Sequence, residues 1–401
     1  MLEEAAPQTV GMSTERLGRI DEMCKEAIDQ QQVPGIVALV VRNGKIVYYK
    51  AFGTADAKTN KPLKRDAIFR IASQTKAITS TGLMMLWEQG KFQLDDPISK
   101  YIPEFENPQI LDTLYPDGTY KTIPAENTIT IRRLLTHTSG VAYGQIDGDA
   151  RFQRIYKDAG IVDGFTTTST VLKENIEKLA KLPLHFNPGE QWSYSEGIDV
   201  AGRLIEILSD MPLDEYLRTH IFEPLAMADT WFYLPKSKEN RLVAVQTYQN
   251  DKWENMKGDF FDANYPIKGA KTFFSGGAGL SSTAMDYATF LQMYLNHGEL
   301  NGVRLLSRTT VDVILSNQIG DIWAGSGSYH GLAFSVVDSL GSAKGGKGSA
   351  HTFEWGGYFN TQYFADPGEN LIGIILKQTA GATNDQTAWK FRQIVLSSID
   401  D

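Results

Sequence analysis

One cysteine, Cys24, is all the sequence holds, so no disulfide can close within the chain and no multi-cysteine metal site can form. Cys24 falls on the apolar side of a helical pattern and reads as buried filler. Six scattered histidines form no His-x-x-x-His pair, so neither a structural nor a catalytic zinc is expected. No basic run interleaves with aromatics, and the formal net charge is −9, which argues against a nucleic-acid surface. The longest apolar runs, Gly35–Val41 and Leu371–Leu376, are far too short to span a bilayer. Met1-Leu2-Glu3-Glu4 has no basic n-region or apolar h-region, so no secretory signal is expected. That leaves the compartment open. No repeat of 20–50 residues and no low-complexity segment is found.

What is present is the composition of an ordinary globular protein: 401 residues, 42% hydrophobic and 22% charged, enough for one large or two ordinary domains. Ser13 is a plausible N-cap, followed by Leu17, Ile20, Cys24, Ala27 and Ile28 at helical spacing. Gly35–Arg42 and Lys45–Gly53 are β-rich runs separated by Asn43-Gly44, the strongest two-residue hairpin signal. Ala77–Gln89 reads as a helix closed by Gly90. A turn-rich passage opens at Asp95. Helical patterns follow at Ile131–Leu135, near Ser169–Leu182, and at Gly197–Ser209 and Leu213–Ile221. After Ser275–Gly279 come helices at Thr283–Leu295 and Ser307–Leu315. The last strand-like runs are His330–Val337, Phe359–Ala365 and Leu371–Thr379, with an Asp366-Pro367-Gly368 turn between the final two. Gln386–Ser397 closes the chain as a helix. The expected fold is α+β. An antiparallel sheet of five or more strands, made from both chain ends, carries flanking helices. Residues 1–80 and 271–401 form this lobe, and 81–270 form an inserted, mostly helical lobe.

Three stretches carry candidate chemistry. Ser73 and Lys76 stand three apart in Ser73-Gln74-Thr75-Lys76, a spacing that places them on one helical face. A hydroxyl at a helix N-terminus favours developing negative charge, and a lysine one turn on can take its proton. Tyr194 follows the Asn187-Pro188-Gly189 turn and could serve as general base and acid. Trp355-Gly356-Gly357-Tyr358 sets two glycines beside a strand, where a ligand can approach the backbone; an N–H there and that of Ser73 would form a two-donor oxyanion hole. Each stretch alone is better explained as an N-cap and a solvated lysine, a core tyrosine, and a tight turn. His137, among Thr and Ser, reads as a hydrogen-bonded turn residue. Lookalikes fail: Gly341–Lys347 has P-loop spacing, but Gly348 stands where Ser or Thr is needed. Gly277-Ala278-Gly279 meets Ser282 instead of a third glycine, and no Gly-x-Ser-x-Gly occurs.

Taken as a set, Ser73–Lys76, Leu134–Gly140, Asn187–Ser195 and Trp355–Gly357 resemble, in order and spacing, the serine hydrolases of the class C β-lactamase and penicillin-binding-protein superfamily. The chain is most similar there to the family VIII carboxylesterases, over about residues 15 to 395. The resemblance implies an acyl-enzyme on Ser73, proton handling by Lys76 and Tyr194, and an oxyanion hole from the Ser73 N–H and one near Gly357–Tyr358. It implies neither metal nor organic cofactor. Two departures stand out. Glu196 replaces the asparagine of Tyr-x-Asn, adding an anion near the substrate, and Trp355-Gly356-Gly357 replaces Lys-Thr-Gly, losing a carboxylate-binding lysine. Both favour small neutral esters over β-lactams or peptidoglycan stems. The expected function is therefore a serine carboxylesterase for short-chain esters. The alternatives are a β-lactamase or D-amino-acid peptidase on the same machinery, or a penicillin-recognising domain that binds without turnover.

Overall fold

The computed structural model describes residues 2–258, 261–381 and 384–401. Its framework is a nine-stranded sheet built from both chain ends. Across it run Glu3–Glu4, Lys45–Asp56, Gly35–Arg42, Leu371–Leu376, Thr361–Asp366, Phe353–Gly357, Ser335–Val337 and Ser328–His330, with Lys61–Pro62 beside Lys45–Asp56. All these pairings are antiparallel except that of Glu3–Glu4.

Alternation decides how the sheet is covered. In Gly35–Arg42 every residue is buried. Val37, Leu39 and Val41 join the large core cluster, whereas Ile36, Ala38 and Val40 join a second cluster on the opposite face. A strand buried on both sides needs a layer on each face. On one side these are Thr14–Asp29, capped by the Ser13 hydroxyl, and Thr387–Ser397. Cys24 is fully buried in that layer. On the other side lies Ala284–Leu295. Asn43 and Gly44 both have positive φ, 51° and 72°, the geometry a two-residue hairpin requires.

Behind Ala284–Leu295, the helix Thr75–Glu88 that follows the Ser73 turn packs against Gly197–Ser209 and Leu213–Leu217. A Cβ at Gly82 would sit 2.8 Å from Leu217 Cδ2, so the close approach of these helices depends on that glycine. The expected strand His330–Val337 is broken in two: Gly331–Phe334 makes a turn, closed by Gly331 N–H donating to Phe334 O at 2.8 Å. Phe353–Gly357, expected as a turn or bulge beside a strand, is a full strand paired with Thr361–Asp366. Two small hairpins, Gln109–Leu114 with Tyr120–Pro124 and Gln246–Gln249 with Lys252–Asn255, lie within the stretch expected to be mostly helical.

Candidate active site

The serine sits at a forced turn. Phe69–Arg70 pairs with Ser281–Ser282, and Ala72 then takes a left-handed conformation, φ 45°, that a residue with a Cβ adopts at a cost. Ala72–Gln74 form a 3-10 turn that runs directly into Thr75–Glu88. The Ser73–Lys76 pair therefore straddles a 3-10 to α junction, not the interior of one helix.

Lys76 is 3% exposed. Its Nζ donates to Gly277 O at 2.8 Å and to the Tyr143 hydroxyl at 3.0 Å, and stands 3.5 Å from Ser73 Oγ. Gly277 belongs to the glycine-rich loop that ends at Gly279. A Cβ there would lie 2.3 Å from Asp199 Oδ2, so only glycine fits. Asp199 holds the loop by accepting from Ser275 Oγ at 2.6 Å and from the Gly277 N–H at 3.2 Å. Burial raises its pKa above the ordinary aspartate value, although these bonds and the Lys76 ammonium pull the other way.

Tyr194 reaches the same ammonium. Lys76 Nζ lies 4.5 Å from the centroid of its ring, a cation–π contact. The ring stacks on Tyr143 at 5.3 Å and 25°, and contacts Trp355 at 5.8 Å and His137 at 4.7 Å. Its hydroxyl is buried with no hydrogen-bond partner among the described residues. The structure thus brings Ser73 and Tyr194 to the buried Lys76 amine, with Trp355 against the Tyr194 ring. His137 Nδ1 accepts from the Ser195 N–H at 3.3 Å and lies 3.0 Å from Ser195 Oγ. Burial, His330 and Lys76 hold His137 well below the ordinary histidine value, so it is a neutral ring. It supports the Tyr194 loop, the structural use expected for it.

The strand edge closes the site. A Cβ on Gly357 would lie 2.4 Å from Ile71 O and from Thr361 Oγ1, so this glycine lets the edge press against the turn before Ser73. Gly356 pairs with Gln362 on the neighbouring strand. Tyr358, 42% exposed, lines a cavity of about 20 Å³ with Ser73, Tyr143, Ile146, Asp163, Phe165 and Ala278. A larger cavity, about 470 Å³, opens between the sheet and Thr387–Ser397 but contains none of Ser73, Lys76 and Tyr194.

Glu196 corrects an expectation. Placed by its motif as an anion facing substrate, it is 1% exposed and absent from the lining of the Ser73 cavity. Burial and Asp163 push its pKa well above the ordinary glutamate value. The carboxyl on the cavity wall is Asp163. Tyr143, Asp163 and Asp199 were not singled out in the sequence. Tyr143 and Asp199 had faint signals, lying three residues past Thr138-Ser139-Gly140 and five past Tyr194; Asp163 had none.

Among the described residues no group of three or more His, Cys, Asp or Glu could hold a metal ion, and no helix is long and apolar enough to cross a membrane. A family model described as Beta-lactamase matches residues 20–397. Protein Rv1367c of Mycobacterium tuberculosis is 33% identical over 368 residues, 88% of each chain. Esterase EstB of Burkholderia gladioli is 31% identical over 378 residues, 90% of each chain. The solved structure of EstCE1, titled a hydrolase with promiscuous acyltransferase activity, superposes with a TM-score of 0.82 at 26% identity, covering 95% of this chain and 98% of that one.

Proposed function

The chain belongs to the beta-lactamase family and is a serine hydrolase, and from that premise we propose that it is a carboxylesterase acting on small, neutral, short-chain esters. The observation that carries this reading is the shared ammonium: Lys76 Nζ lies 3.5 Å from Ser73 Oγ and 4.5 Å from the Tyr194 ring centroid. The similarity to esterase EstB supports an ester as the substrate.

In this reading the Lys76–Tyr194 pair enters the step one proton short of ammonium plus phenol, so that when Ser73 Oγ attacks the ester carbonyl its proton passes to that pair acting as one unit. The carbonyl oxygen becomes an oxyanion held by the Ser73 N–H and a backbone N–H near Gly357–Tyr358. Each donor is worth roughly 3 kcal/mol in the transition state. The tetrahedral intermediate collapses, the carbon–oxygen bond to the alcohol breaks, and the same proton goes to the departing alkoxide. Water then attacks the acyl-Ser73 ester by the reverse proton path and releases the acid. Trp355 and Tyr358 offer aromatic surface to the acyl or alcohol group.

A β-lactamase or D-amino-acid peptidase would use the same machinery, but it must bind a substrate carboxylate. Here Trp355 stands where that lysine would be, and the cavity wall carries a carboxyl, Asp163, with no cation among the lining residues. A binding-only role would leave the coupled serine, amine and phenol without purpose. The decisive experiment is hydrolysis of p-nitrophenyl acetate and butyrate. Ser73→Ala is expected to abolish it, and intact-protein mass after a quenched reaction is expected to show one acyl group on the wild-type chain. Unchanged turnover in Ser73→Ala rejects the proposal.

A further inference from the structure

The Ser73 cavity has a wall whose chemistry acyl transfer does not use. Asp163 lines the cavity, and Glu196 is buried within hydrogen-bonding reach of it. No donor among the described residues reaches Asp163 Oδ1 or either Glu196 oxygen, and all three are closed to solvent. Two ionised carboxylates so placed would repel each other without hydration. One proton between them answers both problems, because a protonated carboxyl is a donor.

We propose that Glu196 is a carboxylic acid that donates to Asp163, and that this bond is a positioning device clamping the Tyr143–Phe165 wall of the cavity against the Tyr194 loop. The inference rests on the reading of Ser73 as the acyl acceptor. Assignment of the proton follows from the surroundings. Asp163 Oδ2 accepts the Gln145 N–H at 2.5 Å, which favours its ionised form. Glu196 has no such donor. Burial, Asp163 and Asp199 oppose ionisation of Glu196, and Lys76 on the serine helix favours it. Asp147, which meets Asp163 from the same segment, is itself bonded to His185 Nε2 at 2.9 Å. Tyr143 and Tyr156, both held as neutral phenols by burial, complete the surround.

The clamp grips at two points. The Glu196 N–H donates to Ala142 O at 3.2 Å, while its side chain takes Asp163, so one residue ties both ends of segment 142–163. Between the ends, Gly144 leaves room for the Asp163 carboxylate, since a Cβ there would lie 2.4 Å from both of its oxygens. The residue set by this segment is Tyr143, whose hydroxyl meets Lys76 and whose ring stacks on Tyr194. Loss of the Glu196 proton would put two buried anions in contact and loosen that wall.

Infrared difference spectra of wild type and Glu196→Gln at neutral pH test the proton directly. A protonated-carboxyl band that shifts in D2O is expected in wild type and absent from the variant. Kinetics test the clamp. Glu196→Gln keeps a donor for Asp163 and is expected to retain kcat/KM for p-nitrophenyl acetate within about threefold. Glu196→Leu removes it and is expected to lose at least about tenfold. The alkaline fall of kcat/KM is expected to begin at lower pH in wild type than in Glu196→Gln. Absence of the band, or a folded Glu196→Leu with wild-type kinetics, overturns the proposal. If Ser73→Ala proved active while the band persisted, the acyl-enzyme reading alone would fail.

Discussion

Tyr143 is the residue on which two parts of the site depend, and neither dependence is visible in its neighbours along the chain. Its hydroxyl accepts from Lys76 at 3.0 Å and its ring stacks on Tyr194. Tyr143→Phe keeps the ring and removes only the acceptor. Hydrogen bonds to charged groups are worth about 1.5–3 kcal/mol, so kcat/KM for p-nitrophenyl acetate is expected to fall by about tenfold to a hundredfold. The loss should lie in kcat, because the ammonium and not the substrate loses a partner. An unchanged kcat would show that the Gly277 carbonyl orients Lys76 without help. Ser73, Lys76 and Tyr194 were legible because motif order and spacing constrain them. Tyr143, Asp163 and Asp199 were not, because their significance is a contact: Tyr143 meets Lys76 across 67 residues and Asp199 meets Gly277 across 78. Glu196 was legible as a departure and misplaced as facing substrate, because its burial depends on the packing of segment 142–163 over it.

At the scale of elements, the N-terminus of Ala284–Leu295 contains a liability that can be measured. Asp286 is 7% exposed and accepts from the Asp229 N–H at 2.8 Å and from Thr230 Oγ at 2.9 Å. Burial outweighs those bonds, and with Asp229 nearby the carboxyl is raised from 3.8 to about 6. A raised carboxyl binds its proton more tightly in the folded state. Its contribution to stability is thus fully present below pH 3.8 and lost as pH climbs through about 6. The difference corresponds to about 3 kcal/mol. Asp286→Asn keeps an acceptor oxygen and cannot ionise, so it is expected to gain on wild type by about that amount between pH 4 and pH 7. Urea midpoints of both proteins at the two pH values check this, and a pH-independent difference would sink it. Elements themselves were legible where local signals were strong. Asn43-Gly44 announced its hairpin, and the Asp366 turn is closed by its Oδ1 accepting from the Gly368 and Glu369 N–H groups at 3.0 and 3.2 Å. Phe353–Gly357 was obscure because in five residues Glu354 and two glycines offset the strand preference of Phe353 and Trp355, and the strand exists through its pairing with Thr361–Asp366.

At the scale of the whole molecule, the sheet edge and the serine helix press together across Gly357 and Ile71, and the space left beside Ser73 is small. A cavity of about 20 Å³ accommodates roughly one water-sized group. An acetyl methyl matches that volume. A longer acyl chain gains about 0.8 kcal/mol for each methylene it buries, but forcing it among Phe165, Ile146 and Tyr358 costs about 1–3 kcal/mol in displaced side chains. The two effects nearly cancel for butyrate; further methylenes find no room to be buried and gain nothing, while the chain must still push Phe165 off its stacked partner Tyr265, 5.0 Å away. Across p-nitrophenyl acetate, butyrate and octanoate, kcat/KM is therefore expected to be similar for the first two and about tenfold or more lower for the third. Nitrocefin adds a carboxylate facing Asp163 with no lysine at position 355 to receive it, so its kcat/KM is expected to lie about a hundredfold or more below that of acetate. Octanoate turned over faster than acetate would mean that the wall opens readily. Fast nitrocefin turnover would mean that the carboxylate is bound elsewhere along the strand edge.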